Sequence, residues 1–261
     1  MKTMDGGVAL ISDRTVLARA AKILGSFSGT RRVLSLTELT ARSSLPKSTT
    51  HRLAGRLVAL GWLERETDGY RIGMRLFETG RLSDRRIRLR ETVFPYLQEL
   101  AVQTQQAGML AILAHEEAVC IDHVSGPNFR LPVHNGVSLS ATRTAVGKAL
   151  LAHQPAEVVE RIVAAERAAA RDDGPDLAEL MTELAVVRTT GVAVVEGTAY
   201  PDITCVATPL CAEGAVIGAI ALSGPSGHIK IESAARGIRA ASHGICADYI
   251  AHMERAVTLR H

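Results

Sequence analysis

The chain has 261 residues, 47% of them apolar and only 3% aromatic, with a formal net charge of +3. That length exceeds what a single core usually fills, so two domains are expected, and the shortage of aromatic rings argues against a stacking platform for single-stranded nucleic acid. No apolar run reaches the length of a membrane span, and the N-terminus lacks the basic, apolar and small-residue order of a signal peptide, so a cytoplasmic location and no membrane partner are expected.

The near-balanced charge hides a segregation by sign. Residues 1–90 hold 18 basic and 8 acidic side chains, a net of +10, whereas the remaining 171 hold 12 and 19, a net of −7. A basic first third suits a module that binds duplex DNA, because phosphate neutralisation and counterion release supply much of that affinity. A solvated surface explains charge but not its separation by sign. Cys120, Cys205, Cys211 and Cys246 are widely spaced with no Cys-x-x-Cys, which excludes the common zinc and thioredoxin patterns and suits a reducing compartment.

In chain order, residues 1–13 form an N-terminal arm and residues 14–75 carry the pattern of a winged helix-turn-helix. A short helix from Leu36 to about Arg42 is followed by a Ser-Ser turn, and Pro46 stands where a first helical turn tolerates a missing N–H. A second helix runs to about Leu60. With Leu53 at the centre of its inward face, Leu57 and Leu60 fall within roughly 40° of it, and Lys47, Ser48, His51 and Gly55 lie on the far side. Such a polar, basic, low-bulk face fits a major groove: hydroxyls and Lys for phosphates, His or Arg for base edges, and a residue without a side chain where backbones approach. The contact set expected there is Lys47, Ser48, Thr49, His51, Arg52 and Arg56. Beyond Gly61, two short runs bracket Thr67-Asp68-Gly69, a hairpin signal that reads as the wing, with Arg65 and Arg71 bracing the backbone or minor groove.

From Met74 to about Gln106 apolar residues recur at helical spacing through Leu82, Ile87, Leu89, Val93, Leu97 and Leu100. This predicts a long connecting helix, with residues 76–95 as the linker proper and Pro95 as a kink or interruption. Arg85, Arg86, Arg88 and Arg90 make its first half basic, either extending the phosphate contacts or keeping a linker soluble. Residues 96–261 then change texture. Strands are expected at Gly108 to Ala114 and Ala118 to Val124, helices at Thr144 to His153, Pro155 to Ala170 and Asp176 to Thr189. A hairpin of Ile203 to Cys211 with Ala215 to Ser223 and a final helix from about Ile231 to Val257 complete an α+β domain.

Several blocks together resemble the IclR family of transcriptional regulators. Leu17-Ala18-Arg19-Ala20-Ala21-Lys22-Ile23-Leu24 is similar to the family's first helix, Leu45-Pro46-Lys47-Ser48-Thr49 with His51-Arg52-Leu53 to its recognition helix, and Leu60-Gly61-Trp62-Leu63-Glu64-Arg65 with Tyr70-Arg71-Ile72-Gly73 to its wing. Thr144-Ala145-Val146-Gly147-Lys148-Ala149-Leu150-Leu151-Ala152 and Gly218-Ala219-Ile220-Ala221-Leu222-Ser223-Gly224-Pro225 are further blocks, in the right order over about residues 14 to 257. The resemblance implies a winged helix for operator DNA, a C-terminal GAF-like effector-binding domain and a homodimer formed through the DNA-binding part, which in the family often pairs again into a tetramer, so that dimer and tetramer both remain open; no cofactor is expected. It also implies an effector pocket with Leu131 and Leu139 as apolar wall, Ala145 and Val146 at a helix start whose N–H groups suit a carboxylate, and Cys205, Ala221 and Ser223 on the opposing strands. A small organic acid is the ligand class that follows. Repressor and activator both remain open.

The chain departs from the family pattern where the pocket is expected. Thr142 and Arg143 stand where His and a small residue are usual, Val195 and Thr198 where an acidic pair is usual, and Asp202 where Gly is typical. Arg143 either adds a charged partner for a carboxylate or points to solvent, and Val195 makes the pocket more apolar, favouring a larger or aromatic acid. An enzyme, or a GAF-like small-molecule sensor without specific DNA binding, is the alternative. His115, Cys120, Asp122 and His123 are metal-ligand types, but strand alternation places Cys120 and Asp122 on one face and His123 on the other, so no metal site is expected. Neither Gly-x-Ser-x-Gly nor Gly-x-x-x-x-Gly-Lys occurs, and no catalytic residue is expected.

Overall fold

The computed structural model describes residues 15–27, 32–80, 82, 84–114, 116–170, 176–198 and 200–258. The N-terminal arm and His115 lie outside these residues. The chain divides into two compact units at Asp84/Arg85.

In the first unit, α1 (Val16–Leu24), α2 (Leu36–Ser43) and α3 (Lys47–Ala59) are followed by a hairpin of β1 (Leu63–Glu66) and β2 (Gly69–Ile72), then α4 (Met74–Gly80). Local sequence explains the ends. Ser35 and Glu38 form a reciprocal capping box on α2. At the other end of α3, Gly61 N donates to Val58 O and Trp62 N to Leu57 O, the paired bonds of a Schellman stop, with Gly61 at φ +71°. Leu60 therefore falls past the helix, and it is 55% exposed rather than on the inward face expected for it. Pro46 is the N-cap rather than the first helical residue. Ile23, Leu39, Leu53, Ala54 and Leu57 form the core with Leu63 and Tyr70 of the wing. Leu34 and Tyr70 exchange backbone hydrogen bonds of 2.9 Å, which docks the wing on the α1–α2 connection.

The single connecting helix expected from Met74 is instead two helices, α4 and α5 (Asp84–Thr104). Leu82 lies between them and is 80% exposed. Pro95 does not interrupt α5: the helix continues through it, because Leu89, Val93, Leu97 and Leu100 anchor both sides of the proline in the core of the second unit.

The second unit continues with β3 (Ala107–Ala114), β4 (Glu117–Val124), β5 (Ser138–Leu139), α6 (Ala145–Leu151), α7 (Ala156–Ala170), α8 (Leu177–Thr190), β6 (Ala193–Glu196), β7 (Ile203–Ala212), β8 (Ala215–Pro225) and α9 (Ile231–Thr258). Among the described residues the strands form an antiparallel six-stranded sheet in the order β5-β4-β3-β8-β7-β6. No described helix is long and apolar enough to cross a membrane.

Both faces of the sheet are covered, so the central strands read as continuous apolar runs rather than alternating ones. The two faces differ in bulk. Leu110, Ile112, Val206, Leu210, Ile220 and Leu222 fill the side packed by α5 and α9. The side under α6, α7 and α8 carries mostly alanines, Ala107, Ala111, Ala207, Ala219 and Ala221, with Met109. Small side chains in the centre of a sheet leave volume above it.

Strand β4 overturns one sequence expectation. Leu110 pairs with Asp122 and Ala111 with Cys120, which leaves Ile121 as an extra residue. This bulge puts Cys120 and Asp122 on opposite faces, since paired neighbours share a face: Cys120 packs with the alanine side and Asp122 meets α5.

Candidate functional site

On α3 the buried residues are Thr50, Leu53, Ala54 and Leu57. Lys47, Ser48, His51, Arg52, Gly55 and Arg56 are exposed together on the opposite side, and Thr49 is half-buried at its edge. A Cβ at Gly55 would meet nothing within 4 Å. The helix thus offers a continuous polar and basic face of low relief.

The two wing arginines are held differently. Arg65 stacks over Tyr70, 5.5 Å from the ring centroid. Arg71 is clasped by carboxylates, with Nη2 2.6 Å from Glu64 Oε2 and Nη1 3.0 Å from Glu66 Oε1. The other Glu64 oxygen accepts from Met74 N at 2.8 Å, and that bond, followed by Arg71, holds the Glu64 carboxyl below its ordinary range. Arg71 is locally neutralised while Arg65 is not.

The second site lies above the alanine side of the sheet. Val195, Cys205 and Ser223 stand side by side on β6, β7 and β8, and Met109 lies one pair along β3 from Ala107, the partner of Ser223. Over them lie Leu131, Leu139 and the start of α6 at Ala145 and Val146, and together these residues enclose a cavity of about 40 Å³. Of the nine positions expected from the sequence, Leu131, Leu139, Ala145, Val146, Val195, Cys205 and Ser223 line it. Ala221 shares the face but is fully buried in the core beside Met109. Arg143 is not among the lining residues; it sits in the turn before α6, where its backbone N–H donates to Ser140 Oγ at 3.0 Å. The sequence reading missed Met109, Val133, Thr144, Tyr200 and Ile203. Tyr200 joins Thr144, Cys205 and Ser223 in a mainly apolar wall, and among the described residues no charged side chain lines the cavity.

The side chains of Ser223, Cys205 and Thr144 are already engaged. Ser223 Oγ donates to Cys205 Sγ at 3.1 Å, and burial pushes the Cys205 thiol up to about 11. Thr144 Oγ1 donates to Ser140 O and accepts from Gly147 N, capping α6. The turn in front of α6 is tied to α7 by Glu166, whose carboxylate accepts from Ala141 N at 2.6 Å, from Ser140 Oγ at 2.8 Å and from the Thr142 hydroxyl. Asp202 has φ +62°, a left-handed conformation that Asp tolerates better than most residues. Among the described residues no group of three or more metal-ligand side chains converges.

Comparison with known proteins agrees with this architecture. Residues 16–67 match the IclR helix-turn-helix domain and residues 83–247 the bacterial transcriptional regulator IclR C-terminal domain. The chain is 30% identical over 230 residues to the HTH-type transcriptional regulator XynR of Escherichia coli, covering 78% of this chain and 84% of that one. It is 28% identical over 200 residues to the regulator TtgV of Pseudomonas putida, covering 74% and 75%. An IclR homologue from Microbacterium hydrocarbonoxydans, solved with 4-hydroxybenzoate, superposes with a TM-score of 0.80 at 27% identity, covering 91% of this chain and all of that one. The chain belongs to the IclR family of DNA-binding transcriptional regulators.

Proposed function

We propose that this regulator binds operator DNA sequence-specifically through α3 and that a small organic acid, held in the cavity above the alanine side of the sheet, changes that binding. The observation that carries the reading is the cavity's position and lining: a mainly apolar, partly open space on the sheet of the second unit, walled by the residues named above. Lys47, Ser48, Thr49, His51, Arg52 and Arg56 take the groove and its phosphates, with Arg65 on the wing and Arg71 reaching phosphate only by exchanging Glu64 and Glu66 for it. Exposed apolar side chains on the first unit, Val16 and Leu17 on α1 and Met74 and Phe77 on α4, support a homodimer through this part, which would place two recognition helices on paired half-sites. Further pairing into a dimer of dimers rests on the family resemblance.

An aromatic carboxylate suits the cavity best. Leu131, Val133, Leu139, Val146 and Val195 supply walls for a ring and Tyr200 a hydrogen-bonding edge, and the structural relative with 4-hydroxybenzoate holds a ligand of that class. The N–H groups of Ala145 and Val146 remain to meet its oxygens. A volume of about 40 Å³ holds a few waters at ~10–15 Å³ each, so a ring enters only if the lining moves, and that movement is the differential binding any effector needs to shift a two-state regulator. The test is fluorescence anisotropy of the purified protein on duplex DNA from its own upstream region, titrated with salt and with a panel of small aliphatic and aromatic acids. Specific, salt-dependent binding altered by one acid is expected, with Val195→Asp abolishing the response. Binding without duplex preference at low salt would remove the DNA reading, and specific binding that no acid alters would remove the effector reading.

A further inference from the structure

The arginines that open α5 separate by partner. Arg90 meets Asp122 and stacks over Phe94, 5.5 Å from its centroid. Arg85 and Arg86 are exposed and have no hydrogen-bond or ion-pair partner among the described residues. Both line a second cavity, of about 380 Å³, that shares no residue with the one described above.

Strand pairing explains why it exists. β3 and β8 pair from Ala107↔Ser223 to Ala111↔Ala219 and no further, although β3 continues with β4 to Ala114 and β8 begins its pairing with β7 at Ala215. Past Ala111 the two strands part, and Ile112, Val216 and Ile217, with Leu89 of α5, form the apolar walls of the opening. Tyr249 of α9 also lines it. The residue is only 5% exposed, its ring packed among the core side chains, and its hydroxyl is open to the cavity with no hydrogen-bond partner among the described residues.

We propose that this opening is a second small-molecule site, specific for an amphipathic carboxylate. The apolar body lies between the parted strands, the acid group is taken by the Arg85 and Arg86 guanidiniums, whose planar forks match a carboxylate, and the Tyr249 hydroxyl donates to an oxygen of the ligand. The volume falls in the range of small-molecule sites, ~300–1,000 Å³. This inference stands apart from the effector reading, since it uses neither the first cavity nor any DNA contact.

The probe is 2-naphthoate, titrated calorimetrically into the full-length Val195→Asp protein, whose added carboxylate closes the first cavity to acids, with 2-naphthamide as its uncharged analogue and the further variants made in the same background. Saturable binding of the acid is expected, weakened about tenfold in Arg85→Ala/Arg86→Ala by loss of the charge-assisted hydrogen bonds, with the amide equally weak on both proteins. Tyr249→Phe, which keeps the packed ring, should weaken the acid about threefold, and far-ultraviolet circular dichroism checks that each variant is folded. Unchanged affinity in the double arginine variant would overturn the proposal, as would failure of the Val195→Asp protein to saturate at millimolar acid. If that variant kept its naphthoate affinity but lost salt-dependent duplex binding, the arginines would serve phosphates and the site would fall.

Discussion

Arg90 Nε stands 2.6 Å from Asp122 Oδ2, off the axis of an aligned hydrogen bond, and this ion pair joins α5 to β4. The other carboxylate oxygen accepts from His123 N at 2.9 Å and from Asn135 Nδ2 at 3.1 Å. One bulged residue in β4 therefore lets a single carboxylate hold both the helix that opens the second unit and the β4–β5 loop that carries Leu131 and Val133 into the cavity wall. Arg90→Ala would strand a carboxylate that is only 6% exposed. The expected loss is about 1–3 kcal/mol, less than for a fully buried pair because the guanidinium is half in solvent. Urea denaturation of Arg90→Ala, Asp122→Asn and the double variant measures it, and a coupling energy near zero would show that the pair contributes nothing.

Gly55 separates fold from function on α3. A glycine inside a helix costs about 1 kcal/mol relative to alanine, and a Cβ there meets nothing, so Gly55→Ala should raise the stability of the first unit by about 0.5–1 kcal/mol. If α3 lies in the groove as proposed, the same methyl lowers operator affinity. Opposite signs in thermal denaturation and DNA titration are the expected pair of results; improved stability with unchanged affinity would take Gly55 out of the interface.

The winged helix was legible in the sequence because its signals are short-range: Pro46 before a helix, the polar face spaced along α3, and Asp68-Gly69 between two short strands. The capping box of Ser35 and Glu38 was available by the same logic and went unread. The second unit was legible in its elements, except for the short strands β5 and β6, but not in its pairing. Bringing Met109, Ser223, Cys205 and Val195 onto one patch of sheet requires the register of four strands, and Tyr200 arrives from a loop with no periodicity to read. The residue-by-residue resemblance supplied Leu131, Leu139, Ala145, Val146, Cys205 and Ser223. It could not show that Ala221 is sealed beneath the lining. Nor could alternation show the Asp122 reversal, because a bulge is decided by the partner strand rather than by the residue that protrudes.

The thiols of Cys120 and Cys205 predict an alkaline limit. Burial, with the Asp122 charge adding to it, pushes Cys120 up to about 12, and burial pushes Cys205 to about 11, from an ordinary 9.0. Both folded-state values lie above the unfolded ones, so the stabilisation is complete below pH 9 and is lost as the unfolded chain ionises between pH 9 and 11–12. Stability measured by urea should fall over that window, and the fall should be shallower in Cys120→Ala. In the native protein at neutral pH, iodoacetamide should alkylate the exposed Cys211 and spare Cys120 and Cys205 until urea unfolds the chain.

Leu17 is 77% exposed on α1, a position where a charge costs the folded monomer little. If the first unit dimerises through its exposed apolar side chains, Leu17→Glu should shift the sedimentation equilibrium toward monomer and weaken operator binding, with thermal unfolding of the monomer little changed. An unchanged association constant would move the interface away from α1.

Gly147 tests the support of the cavity wall. A Cβ built there would lie 2.3 Å from Ala141 O and 2.5 Å from Ala141 Cα, so α6 can pass over the 140–143 turn only with glycine at this position. Backbone rather than a flexible side chain is in the way, and Gly147→Ala must push the turn off the Glu166 carboxylate that holds it. A loss of about 2–4 kcal/mol is expected, from overpacking together with orphaned donors on the turn. Glu166→Gln keeps the shape and weakens the same bonds, with an expected cost of about 1–2 kcal/mol. Because both changes act on the turn, their effects should fall short of additive in the double variant. Additive losses in urea denaturation would mean that Gly147 and Glu166 support separate parts of the wall.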